Sequence, residues 1–122
     1  MLRKVAFTMY PVNDMARARD FYERVMGLTR GNGTGESPWV EYDLPGGGCF
    51  AITTVTGATP SANAGGMIAF EVDDIDAAIA DLEAKQVGFK SDMIHSPVCR
   101  MRVLEDSEGN AILLHELNNK RD

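Results

Sequence analysis

Only two cysteines, Cys49 and Cys99, occur in the 122 residues. Two are too few for a disulfide framework, and their spacing is not that of a metal site, so both are expected as reduced thiols. Basic residues are scarce as well: 12 Lys and Arg against 18 Asp and Glu leave a formal charge of −6. That balance argues against nucleic acid and against an anionic membrane surface, both of which are held by basic patches, and it suits a cationic small molecule. No apolar run approaches the roughly 18 residues needed to cross a bilayer. The opening MLRKVAFTMYPV carries no apolar core of a secretory signal. These absences lead to the expectation of a cytoplasmic protein with no membrane and no nucleic-acid partner. At 44% apolar and 25% charged residues, the composition is that of an ordinary globular domain.

What the chain does contain is an internal repeat. NDMARARDFYERVMGL, residues 13–28, returns sixty positions later as DDIDAAIADLEAKQVGF, residues 73–89. At that offset Phe7 falls on Met67, Tyr10 on Phe70, Asp14 on Asp74 and Tyr22 on Leu82. The first copy opens with KVAFTMYPV, rich in β-branched and aromatic residues and closed by Pro11, which reads as a strand. Asn13 or Asp14 can then cap a helix whose apolar stripe is Met15, Ala18, Tyr22, Val25 and Met26, and Gly27 supplies its stop. The second copy opens with GMIAFEV, is capped by Asp73 or Asp74, repeats Ile75, Ala78, Ile79 and Leu82 at helical spacing, and is expected to stop at Gly88.

Each helix is followed by two strands about a turn: PWVEYD and CFAITTV around a glycine run, then VCRMRVLED and AILLHEL around an Asp/Glu/Gly turn. At an offset of sixty-two, Ala51 meets Leu113 and Thr53 meets His115. The run PGGG precedes no helix and no Lys-Ser or Lys-Thr pair, so it reads as a hairpin and not as a phosphate loop. LTRGNGTGE is rich in glycine and poor as a strand, so the strand that the family resemblance given below implies between Arg30 and Trp39 is short or distorted. TGATPSANAGG, residues 56–66, is the linker. The fold class is therefore α+β, with two tandem βαβββ modules, about residues 1–57 and 65–118, in a single domain spanning 1–122. Their helices are expected on the convex faces of twisted sheets, leaving an open concave face.

With these elements in place, DMARARDFYERVMGL, IAFEVDDIDAAIADLEAKQVGF and the closing VLEDSEGNAILLHEL resemble the vicinal oxygen chelate superfamily. That superfamily takes in glyoxalase I, extradiol dioxygenases, fosfomycin-resistance enzymes and bleomycin-resistance proteins. The resemblance spans essentially the whole chain. It implies an open, cup-like eight-stranded mixed sheet, frequently assembled as a homodimer. It also implies a divalent ion held from four concave positions, usually by His, Gln and Glu. Carried to this chain, those positions are Phe7, Ala51 (with Ile52 or Cys49 one step away), Met67 and Leu113. None offers a hard donor, and a thioether prefers soft ions. No cofactor is expected.

Three side chains remain as candidates for acid–base work. His115 shares the parity of Leu113, and Glu41 and Glu71 would be raised in pKa if they faced an apolar cup. The expected ligand-binding residues are Phe7, Met9, Trp39, Ala51, Thr53, Met67, Ala69, Arg102 and Leu113. Trp39 and Tyr42 alternate, so one of them faces the cavity and the other the core. Three functions stay open. The first is metal-free binding of a small organic molecule, by sequestration, as in bleomycin-resistance proteins. The second is an enzyme of glyoxalase type with a relocated metal or metal-free acid–base chemistry, and the third is a dimerising module without turnover.

Overall fold

The computed structural model describes residues 1–31 and 37–119. The sixty-residue repeat becomes two compact units, Met1–Pro60 and Ser61–Asp122. In the first unit, β1 (Thr8–Pro11), β2 (Trp39–Asp43) and β3 (Cys49–Thr53) form a sheet in the order β1-β3-β2. In the second, β4 (Ile68–Glu71), β5 (Ile94–His95), β6 (Cys99–Glu105) and β7 (Ala111–Leu117) lie in the order β4-β7-β6-β5. The first strand of each unit runs parallel to the last, Met9 opposite Ala51 and Ala69 opposite Leu113. Parallel neighbours need a crossover, and a helix supplies it in both units. Every other pairing is antiparallel.

The described strands thus number seven, in sheets of three and four, where the sequence led to eight in one mixed sheet. The expected strand of the first unit is reduced to a single bridge, Arg30 to Tyr42, and the glycine-rich stretch after it lies outside the described residues. Its counterpart bridge, Phe89 to Leu104, is followed by the two-residue β5. His95 is in that strand and exposed.

Both helices begin alike. The Asp14 carboxylate accepts the Arg17 N–H at 3.0 Å, and Asp74 accepts the Ala77 N–H at 3.0 Å. Such a cap satisfies one of the four donors a helix start leaves open. Beyond the first turns they diverge. Helix α1 (Met15–Asp20) runs on as a π-helix, Phe21–Val25, whereas α2 (Ile75–Ala84) is regular. Both close on a residue in the left-handed region, Gly27 at φ 80° and Gln86 at φ 65°. The second stop is therefore Gln86 and not Gly88. The closing bond spans six residues in the first unit (Leu28 N–H to Tyr22 O) and five in the second (Val87 N–H to Leu82 O). The π turn absorbs the additional residue.

Each helix packs on one face of its own sheet. In the first unit the buried Tyr22 ring lies 4.9 Å from Phe50 and 6.2 Å from Tyr42. The Tyr42 hydroxyl donates to Glu23 at 2.9 Å, and the same carboxylate oxygen accepts from Arg19 at 2.9 Å. Burial first, and the Glu23 carboxylate second, push the Tyr42 phenol far above its ordinary pKa. In the second unit Ile75, Leu104, Ile112 and Leu114 form the apolar centre. Arg100 reaches Asp76 of α2 at 3.1 Å and Glu116 at 2.9 Å, while Glu116 also accepts the Ile75 N–H at 3.0 Å. Burying one large apolar side chain is worth about 1.5–3 kcal/mol, so these clusters dominate the exposed ion pairs.

Candidate functional site

Strand alternation sends each second residue of a sheet to the side away from its helix. In the first unit that helix-free side carries Phe7 and Met9, then Ala51 and Thr53, then Trp39 and Glu41. All six first-unit candidates therefore share one face. Tyr42 goes to the helix side and is fully buried, which leaves Trp39 as the aromatic of the open face. Phe7 stands edge-on to Trp39, with centroids 5.2 Å apart and planes at 85°. The Trp39 indole N–H donates to Glu41 at 2.7 Å. Phe7 and Met9 remain 44% and 37% exposed, large values for apolar side chains. Ala51 and Thr53 are fully buried beneath them, and the Thr53 hydroxyl is spent on Pro38 O and Val55 N–H. They form floor, and ligand contact would fall to Phe7, Met9 and Trp39.

At the edge of this face Cys49 lies opposite Asp43. Burial raises the thiol's pKa, and the Glu41 and Asp43 carboxylates raise it further, so the thiolate is disfavoured.

The helix-free side of the second unit carries Ala69 and Glu71, then Leu113 and His115, then Met101 and Val103. Met67 immediately precedes β4 and is 46% exposed. Glu71 and His115 are register partners, and Glu71 Oε1 is hydrogen-bonded to His115 Nδ1. Glu71 Oε2 accepts the Leu117 N–H at 3.0 Å. Two candidates that sequence reasoning named separately are thus brought together. Their offset equivalents in the first unit, Pro11 and Thr53, are register partners too, so the pairing was implicit in the repeat.

Arg102 is not brought to this face. It stands opposite Leu114, on the helix side, where its guanidinium lies 4.4 Å over the Phe89 ring and donates to Ser91 O at 2.8 Å. The offset of sixty-two places Arg102 on Val40, which is buried on the helix side of its own sheet, and that was the signal sequence reasoning missed. Arg100 shares its parity and its fate.

The four positions at which relatives would hold a divalent ion do not fit one. Phe7, Ala51, Met67 and Leu113 offer a phenyl ring, a methyl group, a thioether and an isobutyl group, and Phe7 is engaged edge-on with Trp39. Among the described residues no three of His, Cys, Asp and Glu are grouped to hold a metal elsewhere. Nor is any helix among them long and apolar enough to cross a membrane.

Solved structures of similar fold include TnmS3, an antibiotic binding protein from Streptomyces sp. CB03234, with a TM-score of 0.80 at 22% identity, over 96% of this chain and 98% of that one. A glyoxalase/dioxygenase from Nostoc punctiforme matches with a TM-score of 0.78 at 18% identity, over 97% and 93%. Lactoylglutathione lyase from Agrobacterium tumefaciens matches with 0.75 at 18% identity, over 94% of each chain. No curated protein sequence matches the chain. Residues 4–114 match the family described as Glyoxalase/Bleomycin resistance protein/Dioxygenase superfamily, and the chain belongs to that superfamily.

Proposed function

We propose that this protein binds a small organic molecule on the helix-free faces of its sheets, without the divalent ion held by metal-dependent members of its superfamily. The observation that carries the reading is the substitution of that ion's positions by apolar side chains, two of which, Phe7 and Met67, stay nearly half exposed. Within the first unit Phe7 and Met9 are exposed together on the face that carries Trp39, an apolar surface on which a ligand can dock. The Phe7–Trp39 pair suits a planar ring, and Glu41, held by the indole N–H, suits a cationic substituent on it. Sequestration of a toxic compound is the function that fits binding without a metal. The antibiotic-binding relative TnmS3 supports the reading at the level of fold. Assembly as a homodimer and residence in the cytoplasm belong to the same proposal.

A second reading, turnover by acid–base chemistry without metal, is favoured by one observation, the Glu71–His115 pair. Thermal unfolding separates the alternatives. Chelator-treated protein is melted with Ni, Mn, Fe(II), Zn or Co and, separately, with a panel of planar cationic antibiotics. A ligand at 100 times its dissociation constant adds about 2.7 kcal/mol, which is a shift of several degrees. Stabilisation by an antibiotic, with recovery of the unchanged compound, is the expected result. Stabilisation by a metal alone would overturn the proposal, and a chemically altered compound would establish the second reading.

A further inference from the structure

The Glu71–His115 pair is placed for more than anchoring a strand end. Nδ1 of His115 is occupied by the Glu71 carboxylate, and among the described residues no hydrogen bond reaches Nε2. A carboxylate on one ring nitrogen holds the proton there and leaves the other nitrogen with its lone pair outward. The His115 side chain is 24% exposed, so the ring is partly open to solvent. Around it the face is apolar: Leu113 and Ala69 lie one register step away, and Met101 is the partner on β6. The cations of β6, Arg100 and Arg102, lie on the other side of the sheet, and the residues of β6 that share the face with His115 are Cys99, Met101, Val103 and, at the far end opposite Ala111, Glu105. Glu71 is the carboxylate that would offset a positive charge on the ring.

We propose that this pair is the polar end of a binding surface for a planar ligand carrying a weakly acidic hydroxyl, a phenol or enol, whose proton passes to His115 Nε2. The O–H bond breaks with its electron pair left on the ligand oxygen, the Nε2–H bond forms, and the resulting imidazolium is held between phenolate and Glu71. No oxidant, reductant or metal enters the step. His115 is the residue that touches the ligand, and Glu71 is its positioning residue. The inference rests on the reading of this face as a ligand surface and adds the chemical class of ligand.

The test uses para-nitrophenol, whose phenolate is yellow and whose phenol is not, at a pH where the free compound is mostly neutral. Para-nitroanisole, which has no proton to give, is the control, and binding of both is followed by calorimetry. Addition of the intact protein is expected to raise the yellow fraction several-fold. His115→Gln should abolish the rise while retaining nitroanisole binding. Glu71→Gln should diminish it, and nitrogen NMR of the imidazole should show the proton shifting from Nδ1 toward Nε2 in that variant. Binding of both probes without colour would overturn the proton transfer and leave the ligand surface standing. So would an undiminished rise in His115→Gln. Binding of neither probe would overturn the inference, and an empty antibiotic panel beside it would overturn the broader proposal as well.

Discussion

The two units share several backbone bonds at equivalent positions and differ most in what they mount on that frame. Val12 N–H donates to Thr53 O at 2.9 Å, and Val72 N–H to His115 O at 2.9 Å. Leu44 N–H reaches Gly48 O across one hairpin turn, and Asp106 N–H reaches Asn110 O across the other. The backbone donors two residues beyond Thr53 and His115 are served in both, Val55 N–H by the Thr53 hydroxyl and Leu117 N–H by Glu71. On this common frame the first unit carries Trp39 and Glu41 where the second has Met101 and Val103. The second carries Glu71 and His115 where the first has Pro11 and Thr53. The shared backbone bonds close the strand ends and turns of both halves. The helix-free faces differ more: one unit carries an aromatic-acidic surface and the other a hydrogen-bonded carboxylate–imidazole pair.

The largest test of this shared scaffold lies in its equivalent core positions. Phe50 and Ile112 stand sixty-two apart and are both fully buried. Phe50→Ala should cost about 3–5 kcal/mol and Ile112→Ala about 2–5 kcal/mol, by the lost transfer energy plus the cavity left behind. Denaturant unfolding measures both, and a cost under 1 kcal/mol at either site would break the equivalence of the two cores.

A smaller effect separates the units. Glu116 accepts from Ile75 N–H and from Arg100, while its offset equivalent is Thr54, an exposed residue. Glu116→Ala should cost about 1.5–3 kcal/mol, the range for hydrogen bonds to a charged group, and Thr54→Ala close to nothing. The left-handed helix stops sharpen the comparison further. Gln86→Gly should stabilise by about 1 kcal/mol, since glycine adopts the positive φ without a Cβ penalty, and Gly27→Gln should destabilise by a similar amount. Equal signs for the two changes would show that the stops are not equivalent.

Much of this scaffold is legible in the repeat itself. Period-3.6 stripes and caps locate both helices, and alternation sorts the strands into sets. Alternation says which residues share a face but not which face is covered, and Arg102 shows the consequence. Only a buried equivalent, Val40, decides its side. The π turn is illegible for a different reason: one additional residue in a helix leaves no mark on composition, only a change of offset from sixty at Tyr22 and Leu82 to fifty-nine at Leu28 and Val87. Gly88 misleads as a stop because glycine favours the left-handed region without requiring it, and Gln86 is carried there by the closing bond of Val87. The Glu71–His115 pair is half legible. Both residues stand out in the sequence, and their partnership needs the register.

The smallest expected effect is invisible at neutral pH and appears only in alkali. Tyr42 and its equivalent Leu104 are both fully buried, but only Tyr42 carries a proton. Below about pH 10, the ordinary tyrosine value, folded and unfolded chains both keep it. As the pH rises past that value the unfolded chain releases the proton, while the buried phenol, donating to Glu23, retains its own. The unfolded state then binds fewer protons than the native one, so stability falls as the pH rises. Denaturant midpoints measured from neutral pH into the alkaline range should decline more steeply for the wild type than for Tyr42→Phe. The difference should be confined to the region above the ordinary tyrosine pKa. Introducing the group at the matching site by Leu104→Tyr would not reproduce the slope, because the second unit has no counterpart of the Glu23 carboxylate that Arg19 holds in place: the offset of sixty sets Glu23 on Glu83, but Arg19 on Ile79.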